Sequence, residues 1–150
     1  DRRPLRHQVY LCGVVAEPGR TFAELNREQH ILNPAYPGGL AEVPGGTRWV
    51  DFDLAREIFY PDCDADVVAA AIPRLRVQAR SPLMERCTFD RLPSVPVTYV
   101  VCAEDRMVDP AWSRRVATGR LGAELVELPG GHSPFYSRPA ALADALHQLV

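Results

Sequence analysis

Three short apolar runs stand out in the pattern of hydrophobic and polar positions along the chain. They cover residues 9–15 (VYLCGVV), 97–103 (VTYVVCA) and 123–128 (AELVEL). The second run is rich in β-branched residues and shows no clean polar alternation, which is typical of a strand buried on both faces. We therefore expect three strands of a parallel sheet at these positions.

A helix is predicted after each of the last two runs. Asp109 and Pro110 form a typical helix start, with Asp as N-cap and Pro at the first helical position, and this helix should end near Gly119 or Gly122. The last helix should begin near residues 137–139, because the apolar positions that follow keep helical spacing. The order strand, helix, strand, helix predicts a right-handed crossover and a parallel α/β sheet.

The segment between the first two runs has a different character. Residues 18–92 are rich in Pro and Gly and contain no convincing buried strand. Helices are expected at residues 51–59 and at residues 65–76, the second capped by Asp64 and kinked at Pro73. Insertions of this kind often cover binding sites. We predict one domain over residues 1–150, made of a sheet strand (1–17), a helical cap (18–92) and a β-α-β-α unit (93–150).

Composition narrows the classes of function. The chain has 150 residues, a net charge of −2 and no lysine, so general affinity for nucleic acid is not expected. No apolar run approaches the roughly 18 residues of a membrane span, and no membrane partner is expected. The four cysteines and four histidines lack metal-ligand spacing. We therefore expect no cofactor, no metal and a reducing, cytoplasmic location.

Two polar clusters follow the second and third runs, CAEDRMVDP and PGGHSP. Ligands of parallel α/β sheets bind at the carboxyl ends of the strands, so a carboxylate and an imidazole should meet at one edge. We select Asp105 and His132 as a candidate acid and base, in which the carboxylate orients the imidazole. An Asx turn at Asp105 and a purely structural turn at His132 are the alternative interpretations. Asp109 is better explained as a helix cap, and Glu104 as a solvated side chain.

The sequences SVPVTYVVCAEDRMVDPAWSRR and ELPGGHSPFYSRPAALADAL together resemble the C-terminal third of an α/β-hydrolase. The resemblance is strongest to the branch of methyl-ester esterases and hydroxynitrile lyases with their bacterial esterase-like relatives. It extends upstream through VYLCGVVAEPG and REIFYPDCDADVVAAAIPRLRVQ, the latter resembling the helical cap of that branch. The resemblance implies about three parallel strands with flanking helices and a helical cap insertion.

In this family, Asp105 and His132 occupy the acid and base positions, and Val108 and Ser133 would border the acyl pocket. Trp49 and Phe59 either line that pocket or simply pack within the cap. Lyase members carry a lysine directly after the histidine, where Ser133 stands here, which favours ester hydrolysis over cyanohydrin cleavage. The implied substrate is a small apolar ester or acyl compound.

The sequence departs from the family in one large respect, because it contains no G-x-S-x-G nucleophile elbow. None of its serines lies in an elbow context, so we expect the nucleophile and the oxyanion loop to precede Asp1 and the chain alone to be inactive. Two alternatives stay open: a non-catalytic module that binds a small ligand, and a fragment that associates with itself or a partner through an exposed strand edge at residues 9–15.

Overall fold

The computed structural model describes residues 4–149. Along the chain the strands are β1 (Gln8–Leu11), β2 (Leu40–Val43), β3 (Gly46–Trp49), β4 (Val97–Cys102) and β5 (Glu124–Leu128). The α-helices are α1 (Phe22–Gln29), α2 (Phe52–Phe59), α3 (Ala65–Ala71), α4 (Ser81–Met84), α5 (Pro110–Arg115), α6 (Pro134–Ser137) and α7 (Pro139–His147). Short 3₁₀ segments cover Tyr36–Gly39 and Ile72–Arg74, and a π-helical turn covers Val116–Arg120.

The predicted parallel sheet is present, with β4 in the middle and β1 and β5 on either side of it. Successive side chains of a strand point to opposite faces, and β4 buries both sets. Tyr99 and Val101 pack with Trp112 in the larger core, whereas Val100 and Cys102 pack with Leu142 of α7 on the other face. Burial on both faces explains why this strand reads as a continuous apolar run.

The first predicted strand is shorter than expected. Pairing of β1 with β4 ends at Leu11 in the regular register, because Cys12 turns the chain with a φ of 45°. Residues 12–15 therefore lead away from the sheet, and Val15 reaches the large core, where it is fully buried. The chain leaves β1 directly into the region where the candidate site is expected.

The segment of residues 18–92, here called the insertion, contains the expected helices α2 and α3. Asp51 caps α2 by accepting a hydrogen bond from Leu54 N at 2.9 Å. Helix α3 ends at Ala71, where Pro73 converts the last turn into a 3₁₀ segment. Asp64 precedes α3 as predicted, but its side chain makes no capping hydrogen bond.

Two elements of the insertion, a β-hairpin and helix α1, were not predicted from the sequence. Strands β2 and β3 form an antiparallel hairpin whose two-residue loop contains Gly45, at a φ of 90°. Helix α1 begins with a capping box, in which Thr21 and Glu24 exchange side-chain and backbone hydrogen bonds at 3.0 and 3.1 Å. The capping box could have been found in the sequence T-x-x-E; the hairpin strands are too short to give a clear alternation.

The insertion packs against the loop that follows β4. Asn33 N donates to Met107 O and Asp109 N donates to Ile31 O, each at 2.9 Å, around an isolated bridge between Leu32 and Val108. The insertion therefore makes backbone hydrogen bonds with the loop that carries Asp105.

Candidate active site

Asp105 and His132 lie at the carboxyl ends of neighbouring strands and are hydrogen-bonded to each other. His132 Nδ1 lies 2.9 Å from Asp105 Oδ2 and 3.1 Å from Oδ1. Since an ionised carboxylate only accepts hydrogen bonds, Nδ1 carries the proton in the neutral imidazole. The other ring nitrogen, Nε2, makes no hydrogen bond with residues 4–149.

The Asp105 carboxylate is fixed by its own loop. Its Oδ1 accepts hydrogen bonds from Met107 N at 2.8 Å and Val108 N at 3.0 Å, and the side chain is 3% exposed. The contact with Met107 N is the Asx turn that was the alternative interpretation of this residue. The turn and the contact with His132 coexist, because the turn holds the carboxylate facing the imidazole.

The other two acids of the loop have separate partners. Asp109 caps α5 as predicted, accepting from Ala111 N at 3.0 Å and Trp112 N at 3.1 Å. Glu104 is not simply solvated, because its side chain accepts a hydrogen bond from Gly130 N in the histidine loop. Asp105 is thus the acid of this loop that contacts His132.

The two glycines before His132 lie close to the insertion. A Cβ on Gly130 would lie against Asp62 and Arg138, and a Cβ on Gly131 against Pro61 and Asp62. Gly130 has a φ of 95°, and a Cβ there would collide with Asp62 and Arg138. A Cβ on Gly131 would lie 2.9 Å from Pro61 Cδ. The positive φ of Gly130 favours glycine, and the close approach of Pro61 leaves little space for a side chain at Gly131.

A mostly apolar cleft opens beside the imidazole, with a volume of about 260 Å³. The Phe59 and His132 rings have centroids 5.6 Å apart, and the Trp49 ring packs edge-on against Phe59 at 5.1 Å. The lining comprises Cys12, Gly13, Val14, Phe22, Leu32, Tyr36, Trp49, Phe59, Gln78, Leu83, Met107, Val108 and His132. The cleft therefore joins the end of the sheet to the inner surface of the insertion.

The structure brings Trp49, Phe59 and Val108 into this cleft with His132. Ser133 is not in the cleft lining: it is 2% exposed, and its carbonyl accepts the first hydrogen bonds of α6. The remaining lining residues of the insertion, such as Phe22 and Tyr36, were not predicted. No sequence signal marks them, because they reach the cleft only through the folding of the insertion.

No serine within residues 4–149 lines the cleft. Ser113 lies in α5 with its Oγ 3.2 Å from the Tyr99 hydroxyl, and Ser81 and Ser94 lie in exposed parts of the chain. Cys12 does line the cleft, but its hydrogen bond with Cys102 and its burial raise the pKa of its thiol. A thiol that stays protonated is a poor nucleophile.

Within residues 4–149, no three His, Cys, Asp or Glu side chains lie together in a group that could hold a metal ion. Among the same residues, no helix combines the length and apolar character needed to cross a bilayer.

Comparisons with known proteins agree with this architecture. The sequence profile of the alpha/beta hydrolase family matches residues 2–145. The chain therefore belongs to the alpha/beta hydrolase family. The chain is also 26% identical over 134 residues to the alpha/beta hydrolase nvfD of Aspergillus novofumigatus, covering 87% of this chain and 51% of that protein.

Solved structures show the same fold. A pyrethroid hydrolase from Sphingobium faniae superposes with a TM-score of 0.76 at 21% identity, over 95% of this chain and 60% of that one. A methylesterase from Arabidopsis gives a TM-score of 0.72 at 20% identity, over 97% and 58% of the two chains. Polyneuridine aldehyde esterase gives 0.74 at 16% identity, over 97% and 62%. The chain spans about half to three fifths of the length of these relatives.

Proposed function

We propose that this chain supplies the acid and the base of a serine hydrolase that acts on a small apolar ester, with Asp105 and His132 in these roles. The observation that carries the proposal is the hydrogen bond of 2.9 Å between His132 Nδ1 and Asp105 Oδ2 beside an apolar cleft. Membership of the alpha/beta hydrolase family and esterase-like structural relatives support this class of reaction.

In the proposed reaction, His132 Nε2 takes the proton of an attacking serine hydroxyl and later returns it to the leaving alcohol. The imidazolium formed in between is stabilised by the Asp105 carboxylate, which also fixes the tautomer. Because Asp105 is held by two backbone N–H groups, this orientation needs no rearrangement during the reaction. Trp49, Phe59 and Val108 would contact the apolar part of the substrate.

The serine and the oxyanion hole are proposed to come from a segment that precedes Asp1. The sequence contains no G-x-S-x-G, and the chain spans only 51% of its fungal relative. Serine nucleophiles of this family lie on a strand-to-helix elbow that comes before the acid and the base in the chain. The free edge of β1, on the side away from β4, is where the strand carrying that elbow would pair.

The test uses short-chain p-nitrophenyl esters. The chain alone should show no turnover that depends on His132, and robust turnover abolished by His132→Ala would show that the nucleophile lies within these residues. A product of the same reading frame that includes the upstream segment should hydrolyse the ester, and Asp105→Asn should then lower kcat by about 10⁴. His147→Ala, in the exposed part of α7, is the matched control. An upstream frame without a nucleophile elbow would refute the proposal.

A second candidate is a non-catalytic module that holds an apolar ligand in the cleft. The observation favouring it is that the described residues form the cleft but place no serine in it. Binding of an ester without hydrolysis, in a product whose upstream segment has no elbow, would favour this function over the enzyme.

A further inference from the structure

Asp62, in the insertion just before α3, contacts the backbone of the loop that carries His132. Its Oδ2 accepts a hydrogen bond from Gly131 N at 3.1 Å and lies 3.2 Å from Nη2 of Arg138. Arg138 also donates from Nε to Pro129 O at 2.8 Å. The Gly130–Gly131 peptide, one residue before His132, is therefore attached through its N–H to a carboxylate from a distant part of the chain.

Asp62 and the backbone of Gly131 approach each other closely. A Cβ on Gly131 would lie 3.0 Å from Asp62 Oδ1 and 2.9 Å from Pro61 Cδ, so the loop and the insertion approach each other closely here. The other oxygen, Oδ1, is buried and has no hydrogen-bond partner within residues 4–149. The polar contacts of Asp62 therefore run through Oδ2 alone among the described residues, to Gly131 N and to Arg138.

We propose that Asp62 is a positioning residue: by holding the Gly131 N–H, it sets where the His132 imidazole meets Asp105. The inference rests on the proposed function in that His132 is the base. It goes beyond that function by making the position of the His132 imidazole depend on a residue of the insertion. A backbone shift of about 1 Å at Gly131 would lengthen the contact between Nδ1 and the carboxylate, and displacements of that size are costly in catalysis.

Variants at this position separate the hydrogen bond from the charge. In Asp62→Asn, the amide oxygen can occupy the place of Oδ2 and accept from both Gly131 N and Arg138. The amide nitrogen then takes the place of Oδ1, which has no donor to lose. Asp62→Ala removes the acceptor as well as the charge. Asp66→Ala removes an exposed acid of the same insertion and is the matched control.

The experiment is NMR spectroscopy of the isotope-labelled chain. One readout is the downfield Nδ1 proton of His132 in its hydrogen bond with Asp105, and the other is the hydrogen-exchange rate of the Gly131 amide. In Asp62→Ala the Nδ1 proton should shift or broaden, and Gly131 exchange should accelerate by about tenfold, the loss of one charge-assisted hydrogen bond. Asp62→Asn should restore the wild-type Nδ1 signal, and Asp66→Ala should not change it.

An unchanged Nδ1 proton in Asp62→Ala would overturn the proposal, even with faster Gly131 exchange, because the contact would then only support the loop. Equal displacement in Asp62→Asn and Asp62→Ala would assign the effect to charge and also overturn it. If Asp62→Ala does not fold, Asp62→Leu fills the same space without an acceptor. In the wild type, absence of a scalar coupling across the hydrogen bond from Gly131 N to the Asp62 carboxyl carbon would refute the contact itself.

These readouts do not depend on turnover. A chain that never hydrolyses an ester in any form, yet loses its Nδ1 signal in Asp62→Ala, would refute the proposed function and leave the positioning role standing. Hydrolysis that depends on His132 but is unaffected by Asp62→Ala would support the proposed function and refute the positioning role of Asp62.

Discussion

Glu104 and Gly130 are joined by two hydrogen bonds that run in opposite directions. Glu104 N donates to Gly130 O at 3.0 Å, and Gly130 N donates to the Glu104 carboxylate. The residue before the acid of the candidate site is thus attached to the loop that carries the base. The pairing extends the parallel contact of β4 and β5 beyond the ends of both strands.

Removing the Glu104 side chain should loosen this attachment without breaking the backbone pair. We expect Glu104→Ala to lower the free energy of unfolding by about 1 kcal/mol, because the Gly130 N–H loses a charge-assisted partner. Glu104→Gln keeps an acceptor oxygen and should lose about half as much. Urea unfolding followed by circular dichroism measures both. Glu85→Ala removes an exposed acid at the end of α4 as a control, and an equal loss in that variant would contradict the prediction.

The central strand of the sheet, β4, could be predicted from sequence because it is buried. Thr98 through Cys102 have almost no exposed surface, so β4 appears as an uninterrupted apolar run. The hairpin of β2 and β3 could not be predicted in the same way. Its strands have four residues each and are only partly buried, so tertiary packing rather than a sequence period decides their conformation.

The candidate site also contains residues that could be predicted from sequence and residues that could not. Asp105 and His132 could be paired from sequence because strand order brings the carboxyl ends of β4 and β5 together. The contacts of Glu104 and Asp62 could not be predicted from sequence. Each side chain accepts a hydrogen bond from a loop N–H group, and the position of that group depends on loop conformation. Trp49 and Phe59 could be named only through resemblance to a family with a cap over its pocket.

Occupation of the cleft should be visible in tryptophan fluorescence. Trp49 lines the cleft, whereas Trp112, the other tryptophan, is buried in the core with its indole N–H 2.7 Å from Gln29 Oε1. We expect ethyl butyrate or its ketone analogue 4-heptanone to change the emission of the wild type but not that of Trp49→Phe. Phe59→Ala should weaken binding by about tenfold through lost apolar contact.

The matched control for the cleft is Phe52→Ala on the same helix. Phe52 is 50% exposed and does not line the cleft, so its loss should leave the affinity unchanged. Equal weakening by Phe52→Ala and Phe59→Ala would place the ligand outside the cleft.

The outer edge of β1 should promote self-association. Within residues 4–149, β1 pairs with β4 on one side only, and Val9 of this strand is 38% exposed. Unpaired backbone groups beside apolar side chains favour pairing with another strand, and a charge on the edge suppresses it. We expect sedimentation velocity to show concentration-dependent oligomers that Val9→Lys reduces. Val77→Lys changes a valine of the insertion that is 51% exposed and should have no effect. A monomer at high concentration in the wild type would contradict the prediction.

Alkaline pH should weaken the fold through Tyr99. This side chain is fully buried in β4, and burial raises its pKa from 10.0 to about 12. Between these values the unfolded chain has released the phenolic proton while the folded chain keeps it, so stability falls as pH rises. For this single group the expected loss is about 1.4 kcal/mol at pH 11 relative to pH 8.

Tyr99→Phe isolates this contribution. The variant should be less stable at pH 8 by about 1 kcal/mol, because the Tyr99 hydroxyl lies 2.5 Å from Gly13 O and 3.2 Å from Ser113 Oγ, and both lose a partner. Its stability should then fall less steeply between pH 8 and about pH 11 than that of the wild type, since no phenol at this site titrates. Urea unfolding at several pH values gives both slopes. Parallel slopes in the two proteins would show that Tyr99 titrates equally in the folded and unfolded chains, against the burial argument.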